Sequence, residues 1–184
     1  MDIHEELSRR WVKTVRVFVD EASCTATFLL YGLFTQKLLG YQTYNPKSLA
    51  KKVNDPKLSR YYTYQPRVKQ SGDYAVFGTE YVQGSDLLFV TEGIFEAVRL
   101  LEMGYDAIAI LCSSPPEELV TELHRRWERV VWCGDNDPAG NKSSMAKNSL
   151  RMYFEEDLDE TDQSTLLERL DTFRREQINE RRKY

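Results

Sequence analysis

Leu87-Leu88-Phe89-Val90-Thr91-Glu92-Gly93 and, further on, Arg129-Val130-Val131-Trp132-Cys133-Gly134-Asp135-Asn136-Asp137 are the stretches that decide the fold. Each opens with a short, largely apolar run, long enough for a strand buried on both faces. Each then passes into glycine and acid. After the first, Ile94, Ala97, Val98 and Leu101 recur at helical spacing up to Gly104. Ala107-Ile108-Ala109-Ile110-Leu111 is another buried strand. Pro115-Pro116-Glu117-Glu118 opens a second helix, with proline and acids where a first turn favours them, and Leu119 and Leu123 on its core side. The second motif then supplies the third strand, Arg129 to Cys133. Pro138 begins a helix predicted to run through about Arg151. The order β-α-β-α-β-α predicts an α/β fold, a parallel sheet flanked by helices.

Working outward, residues 1–83 read as a small N-terminal mixed α+β lobe. A helix is predicted over residues 4–15, with Leu7, Trp11 and Val15 on one stripe. Ala26–Phe34 and Lys37–Tyr44 read as strands around a turn near Thr35 and Gln36, and residues 74–78 as another short strand. Asn45–Ser59, broken by Pro46 and Pro56, reads as an irregular, mobile arm. The parallel sheet occupies residues 84–163. From Ser164 to the end, Leu166, Leu167, Leu170 and Phe173 predict an amphipathic helix over 164–184.

Composition narrows the functional classes. No run of 18 apolar residues is present, so no membrane-spanning helix and no membrane partner are expected. The N-terminus MDIHEELSRR has no apolar signal core. Three cysteines and two histidines, with no CxxC pair, argue against zinc and for a reducing, cytoplasmic setting. The net charge of −4 excludes indiscriminate coating of nucleic acid, yet the charge is segregated. Residues 41–70 hold Lys47, Lys51, Lys52, Lys57, Arg60, Arg67 and Lys69 against the single acid Asp55, with Tyr41, Tyr44, Tyr61, Tyr62 and Tyr64 interspersed. Lysines that meet phosphates and tyrosines that stack on bases make this stretch a candidate single-strand surface. An ordinary solvated loop whose tyrosines serve the lobe's core is the alternative.

In an open parallel sheet, ligands bind beyond the carboxyl ends of the strands. Glu92 stands at one such end, and Asp135 and Asp137 just past another. Carboxylates crowded on one rim repel unless a cation compensates, and an all-oxygen donor set suits Mg²⁺, with Mn²⁺ a second option. Glu92, Asp135 and Asp137 are therefore the candidate metal ligands and catalytic residues. Glu96 is either an outer support behind those ligands or simply an acid favoured near a helix N-terminus. Asp157 and Asp159 form a further alternating pair, read either as a solvated acidic loop or as ligands of a second metal.

The segment Phe89-Val-Thr-Glu92-Gly-Ile-Phe-Glu96-Ala resembles the Toprim motif of bacterial and phage primases. Cys133-Gly-Asp135-Asn-Asp137-Pro-Ala-Gly140 resembles the family's Asp-x-Asp-x-Ala-Gly motif. Upstream, Leu39-Gly40-Tyr41-Gln42, Pro56-Lys57-Leu58 and Val76-Phe77-Gly78-Thr79-Glu80 are similar to further steps of the primase polymerase domain, so the resemblance spans about residues 26–150. It implies Mg²⁺-dependent synthesis of short RNA primers from ribonucleoside triphosphates on single-stranded DNA during replication. By it, Glu92, Asp135 and Asp137 handle metal, and Asp157 or Asp159 corresponds to the third acidic motif. Lys57 lies near nucleotide or template, with Arg60 and Lys69 as further counterparts. Lys51, Lys52 and Tyr61 complete the predicted nucleic-acid contacts. The sequence departs from the family where Glu96 replaces a common Asp and where the Gly-Tyr-Gln step lacks a following Arg. With no zinc-binding module ahead of it and no helicase domain after it, recognition and loading are expected to come from a separate zinc-binding protein or a replicative helicase. The setting is the host cytoplasm if the protein is phage-encoded. A Toprim-type metal-dependent nuclease, and a non-catalytic DNA-binding replication accessory protein, are the rival readings.

Overall fold

The computed structural model describes residues 2–50, 53, 55, 58–135, 150–154, 158 and 161–181. In chain order these form α1 (Ile3–Arg9), β1 (Phe18–Asp20), β2 (Thr25–Gly32), β3 (Leu38–Tyr44), β4 (Tyr61–Tyr64), α2 (Val68–Ser71), β5 (Ala75–Val76) and a single 3₁₀ turn at Thr79–Tyr81. There follow β6 (Leu87–Thr91), α3 (Ile94–Glu102), β7 (Ala107–Ala109), α4 (Glu117–Arg126), β8 (Arg129–Asp135), β9 (Leu150–Phe154) and α5 (Gln163–Arg181). None of these helices is long and apolar enough to cross a membrane.

The second half is a four-stranded parallel sheet in the order β7-β6-β8-β9. Its apolar runs are continuous because both faces are covered. Phe89, Ala107 and Val131 share one core with Ala97, Val98 and Leu100 of α3 and with Leu166 and Leu170 of α5. Leu88, Val90, Ile108, Val130 and Trp132 share the other with Leu119 and Leu123 of α4. The strands alternate between two cores, as their period of two dictates.

The first half is an antiparallel sheet in the order β1-β2-β3-β4, with β5 paired to the far end of β2. Its even-numbered β2 residues Ala26, Phe28 and Leu30 are buried, while Thr25, Thr27, Leu29 and Tyr31 are only half-buried. The buried face packs on α1 and on α3, where Phe28 meets both Phe77 and Phe95 edge-on, with ring centroids 5.7 and 5.6 Å apart. The two sheets join at Phe77 and Ala109, which exchange two 3.0 Å backbone hydrogen bonds. Gly78 allows this junction, since it has φ +98° and a Cβ there would lie 2.7 Å from the Ala107 carbonyl.

Several predicted boundaries move. The helix predicted over residues 4–15 stops at Arg9, because Trp11 adopts φ 62° and turns its ring under Arg99, whose guanidinium carbon lies 3.4 Å from the ring centre. The strand predicted to Phe34 ends at Gly32, because the buried Asp73 carboxylate accepts the Phe34 and Thr35 backbone N–H groups and turns the chain there. Leu150 and Arg151, assigned to the end of a helix, belong instead to β9. They pair with Val131 and Trp132 and cover what would otherwise be an open edge of β8. The rest of that predicted helix lies outside the described residues.

Candidate metal-edge site

The turn that carries Glu92 is braced from several sides. The Thr91 hydroxyl donates to the Gly93 carbonyl at 2.8 Å and lies 3.3 Å from that of Ile108. The Glu96 carboxylate reaches back one helical turn and accepts the Gly93 N–H at 2.7 Å. Glu96 therefore supports the turn as a cap on α3. The spacing Gly93-x-x-Glu96 was a readable signal for this role, whereas the Thr91 anchor gave no motif to read. Glu92 itself is exposed at the end of β6. Its carbonyl accepts the Leu111 N–H at 3.0 Å, so the β6–β7 ladder runs into the turn.

The neighbouring strand end comes from β8. Val90 pairs with Trp132 in parallel, so continuing that register sets Glu92 level with Gly134 and one residue short of Asp135, the last residue of β8. The first acid of the second motif thus lies on the strand rather than past it. On the other side, the Leu111–Glu92 backbone bond brings Cys112 to the same edge, where burial first and then the Glu92 charge push its thiol upward in pKa. Cys133 is buried, and burial first, then the Glu96 charge, raises its thiol well above the usual range.

The basic arm leaves the N-terminal lobe beside this turn. Asn45 N–H donates to Arg60 carbonyl, and Ala50 bridges Ser59, so the described parts of the arm are tied at its base. Tyr44 and Tyr61 stack with centroids 5.3 Å apart, and both meet Phe95, at 4.8 and 6.5 Å. Phe95 is three residues after Glu92, so the arm's base and the acidic turn share one aromatic cluster. Tyr61 is half-buried there, with its ring packed against the lobe's core.

A buried ionic cluster holds this cluster from behind. Glu6, 6% exposed, accepts hydrogen bonds from Arg9 at 2.9 and 3.0 Å and from the Tyr44 hydroxyl at 2.7 Å, with a longer one from Arg10 at 3.3 Å. The Arg10 guanidinium also lies over Phe95, 4.7 Å from the ring centre. Burial raises the Glu6 pKa, but the Arg9, Tyr44 and Arg10 hydrogen bonds outweigh it and bring it down to about 2. Burial and the bond to Glu6 push the Tyr44 hydroxyl up to about 12.

Of the other predicted residues, Arg60 is half-buried at the arm's base and Lys69 lies in α2. Asp137, Asp157, Asp159, Lys51, Lys52 and Lys57 lie outside the described residues. No group of three metal-capable His, Cys, Asp or Glu side chains occurs among the described residues. The edge does have the donor chemistry that suits a hard cation: an exposed carboxylate on one strand end and an Asp-Asn-Asp segment starting on the adjacent one.

Comparison with known proteins agrees with this fold. The Toprim-like family matches residues 89–164, from the middle of β6 to the start of α5. The Escherichia coli primase catalytic core superposes with a TM-score of 0.60 at 18% identity, covering 80% of this chain and 52% of that one. A DnaG primase catalytic domain bound to single-stranded DNA gives 0.59 at 16%, covering 91% and 60%. The primase fragment of the bacteriophage T7 primase-helicase gives 0.56 at 14%, covering 80% and 62%. None of the curated proteins matches the chain by sequence. The chain spans about half the length of the first primase cores it matches. It carries a Toprim-like segment within a fold shared with bacterial and phage primase cores.

Proposed function

We propose that this chain is the nucleotidyltransferase part of a DNA primase, joining ribonucleoside triphosphates into short RNA primers on single-stranded DNA. The observation that carries the reading is the parallel register that sets Glu92 beside Asp135, at the carboxyl edge of a sheet shared with primase cores. Glu92, Asp135 and Asp137 would hold Mg²⁺ or Mn²⁺, with Asp157 or Asp159 as further ligands. Such a cation supplies charge neutralisation at the reacting phosphates and a more acidic attacking hydroxyl. The chain's own contribution is placement. Thr91 and Glu96 brace the Glu92 turn, and the Tyr44–Tyr61–Phe95 cluster ties the two ends of the arm to α3, which supports Lys51, Lys52, Lys57 and Arg60 as the residues that would meet nucleic acid. Phosphoryl transfer depends mostly on positioning and charge, so a short constellation of this kind suffices. The similar structures include a phage primase-helicase fragment and a primase bound to single-stranded DNA, which supports a helicase and single-stranded DNA as partners here.

The test is direct. The protein is incubated with single-stranded templates, four ribonucleoside triphosphates and Mg²⁺ or Mn²⁺, with and without a helicase. Short RNA products that disappear in the Asp135→Ala/Asp137→Ala variant are the expected result. Template cleavage without synthesis would replace this reading with a nuclease. Neither activity would leave a binding protein.

A further inference from the structure

Among the described residues no α-helix packs on one face of the antiparallel sheet, and register collects aromatic rings there. Tyr41 pairs with Tyr64 and Thr43 with Tyr62, so these side chains share a face, opposite to the buried Tyr44 and half-buried Tyr61. Thr27 and Leu29 pair with Thr43 and Tyr41 and extend the face across β2, and Phe18 pairs with Thr27. Phe18 is 55% exposed, Tyr41 36% and Tyr64 55%. The rings of Tyr41 and Tyr64 stack with centroids 5.5 Å apart, and Tyr62 lies 6.4 Å from Tyr41. At the β2 side, Leu29 and Tyr31 run into an open pocket of about 480 Å³ with Arg16, Gln36, Glu80 and Tyr81.

We infer that this outer face is a stacking platform for single-stranded DNA, separate from the acidic edge and from the arm beside it. Aromatic side chains on an open sheet present π faces to unpaired bases, and such stacking tolerates any sequence. The centre of the face is chemically mixed: the hydroxyls of Thr27 and Thr43 lie 3.3 Å apart between the rings. That suits bases, which offer flat apolar faces and polar edges, better than the purely aliphatic side of a partner helix. Exposed Arg16, Lys37 and Arg67 stand at or near its margins, against Asp20 and Glu80. The face would hold the strand away from the reacting end, so the inference rests on the reading of the substrate as single-stranded DNA while adding a second surface to it.

The experiment measures binding of a fluorescent oligo-dT to the full chain in EDTA without nucleotides, so catalysis plays no part. Tyr41→Ala/Tyr64→Ala is expected to weaken binding by about tenfold or more with an unchanged salt slope, because rings release no counterions. Tyr41→Phe/Tyr64→Phe, which keeps the rings, is expected to restore it. Equal affinity in wild type and the alanine pair overturns the platform, even if primers are made. A tyrosine dependence seen only with oligo-rU overturns the assignment to DNA. Loss of self-association in the alanine pair with oligo-dT affinity intact would make the face a contact between copies and also overturn the proposal. If tyrosine-dependent DNA binding persists but no primers form, the platform stands and the primase reading fails.

Discussion

The two sheets of this protein are opposite in what they leave open. The parallel sheet is covered by α3 and α5 on one face and by α4 on the other, so its free functional surface is the edge at the strand ends. The antiparallel sheet packs one face on α1 and α3, and among the described residues its other face carries exposed Phe18, Tyr41 and Tyr64. The proposed edge chemistry and the inferred face recognition both build on this difference. An edge concentrates a few charged residues from distant parts of the chain, whereas a face spreads many weak contacts along neighbouring strands.

The sharpest break of the comparison is at the edge. Glu92→Gln is expected to lower primer synthesis by about 10³-fold. The same change should leave the melting temperature in EDTA unchanged, because Glu92 is exposed at the end of β6. A fall of several degrees would mean that Glu92 is structural. Next comes the shared wall between the lobes. Phe28→Ala, at a site 1% exposed, is expected to cost about 3–5 kcal/mol in urea denaturation. Leu38→Ala, on the open face at 57% exposed, should stay within about 0.5 kcal/mol. Equal costs at the two sites would show that the open face is covered in solution.

The remaining effect is the acid sensitivity of the cluster behind the arm. Glu6 has its pKa lowered from 4.5 to about 2 despite burial, by hydrogen bonds from Arg9, Tyr44 and Arg10. A depressed carboxyl contributes stability that is full above pH 4.5 and is lost as pH falls toward 2. That contribution is about 3 kcal/mol, and Glu6→Gln is expected to flatten the stability–pH curve in this window. An unchanged acid limb in denaturant titrations from pH 5 to 2 would show that Glu6 is not the group responsible.

Much of the parallel half was legible because its signals are local. Leu87–Thr91 and the run from Arg129 are short and apolar, and Gly104 closes α3 with φ +83°. Leu150 and Arg151 read as a helix end, and the rest of β9 as no element, because a short, mixed segment after a predicted helix start carries no period that distinguishes strand from helix. Trp11 was placed on a helical stripe because its spacing fits one, while its partner Arg99 lies far along the chain. The tyrosines of residues 41–70 were visible as a cluster, but composition does not say which rings share a side. Tyr44 and Tyr61 turn inward onto Phe95, and Tyr41, Tyr62 and Tyr64 turn outward together.

The amino-acid sequence alone was enough to determine an α/β chain with Glu92 and Asp135 at strand ends, since strand length, glycine and acid are read from consecutive residues. Tertiary structure decided that those ends are neighbours in register, that Glu96 caps its own helix, and that Tyr41, Tyr62 and Tyr64 gather on the outer face of the antiparallel sheet. Those outcomes depend on pairing between segments far apart in the chain, and a shift of one residue in that pairing would exchange every inward ring for an outward one.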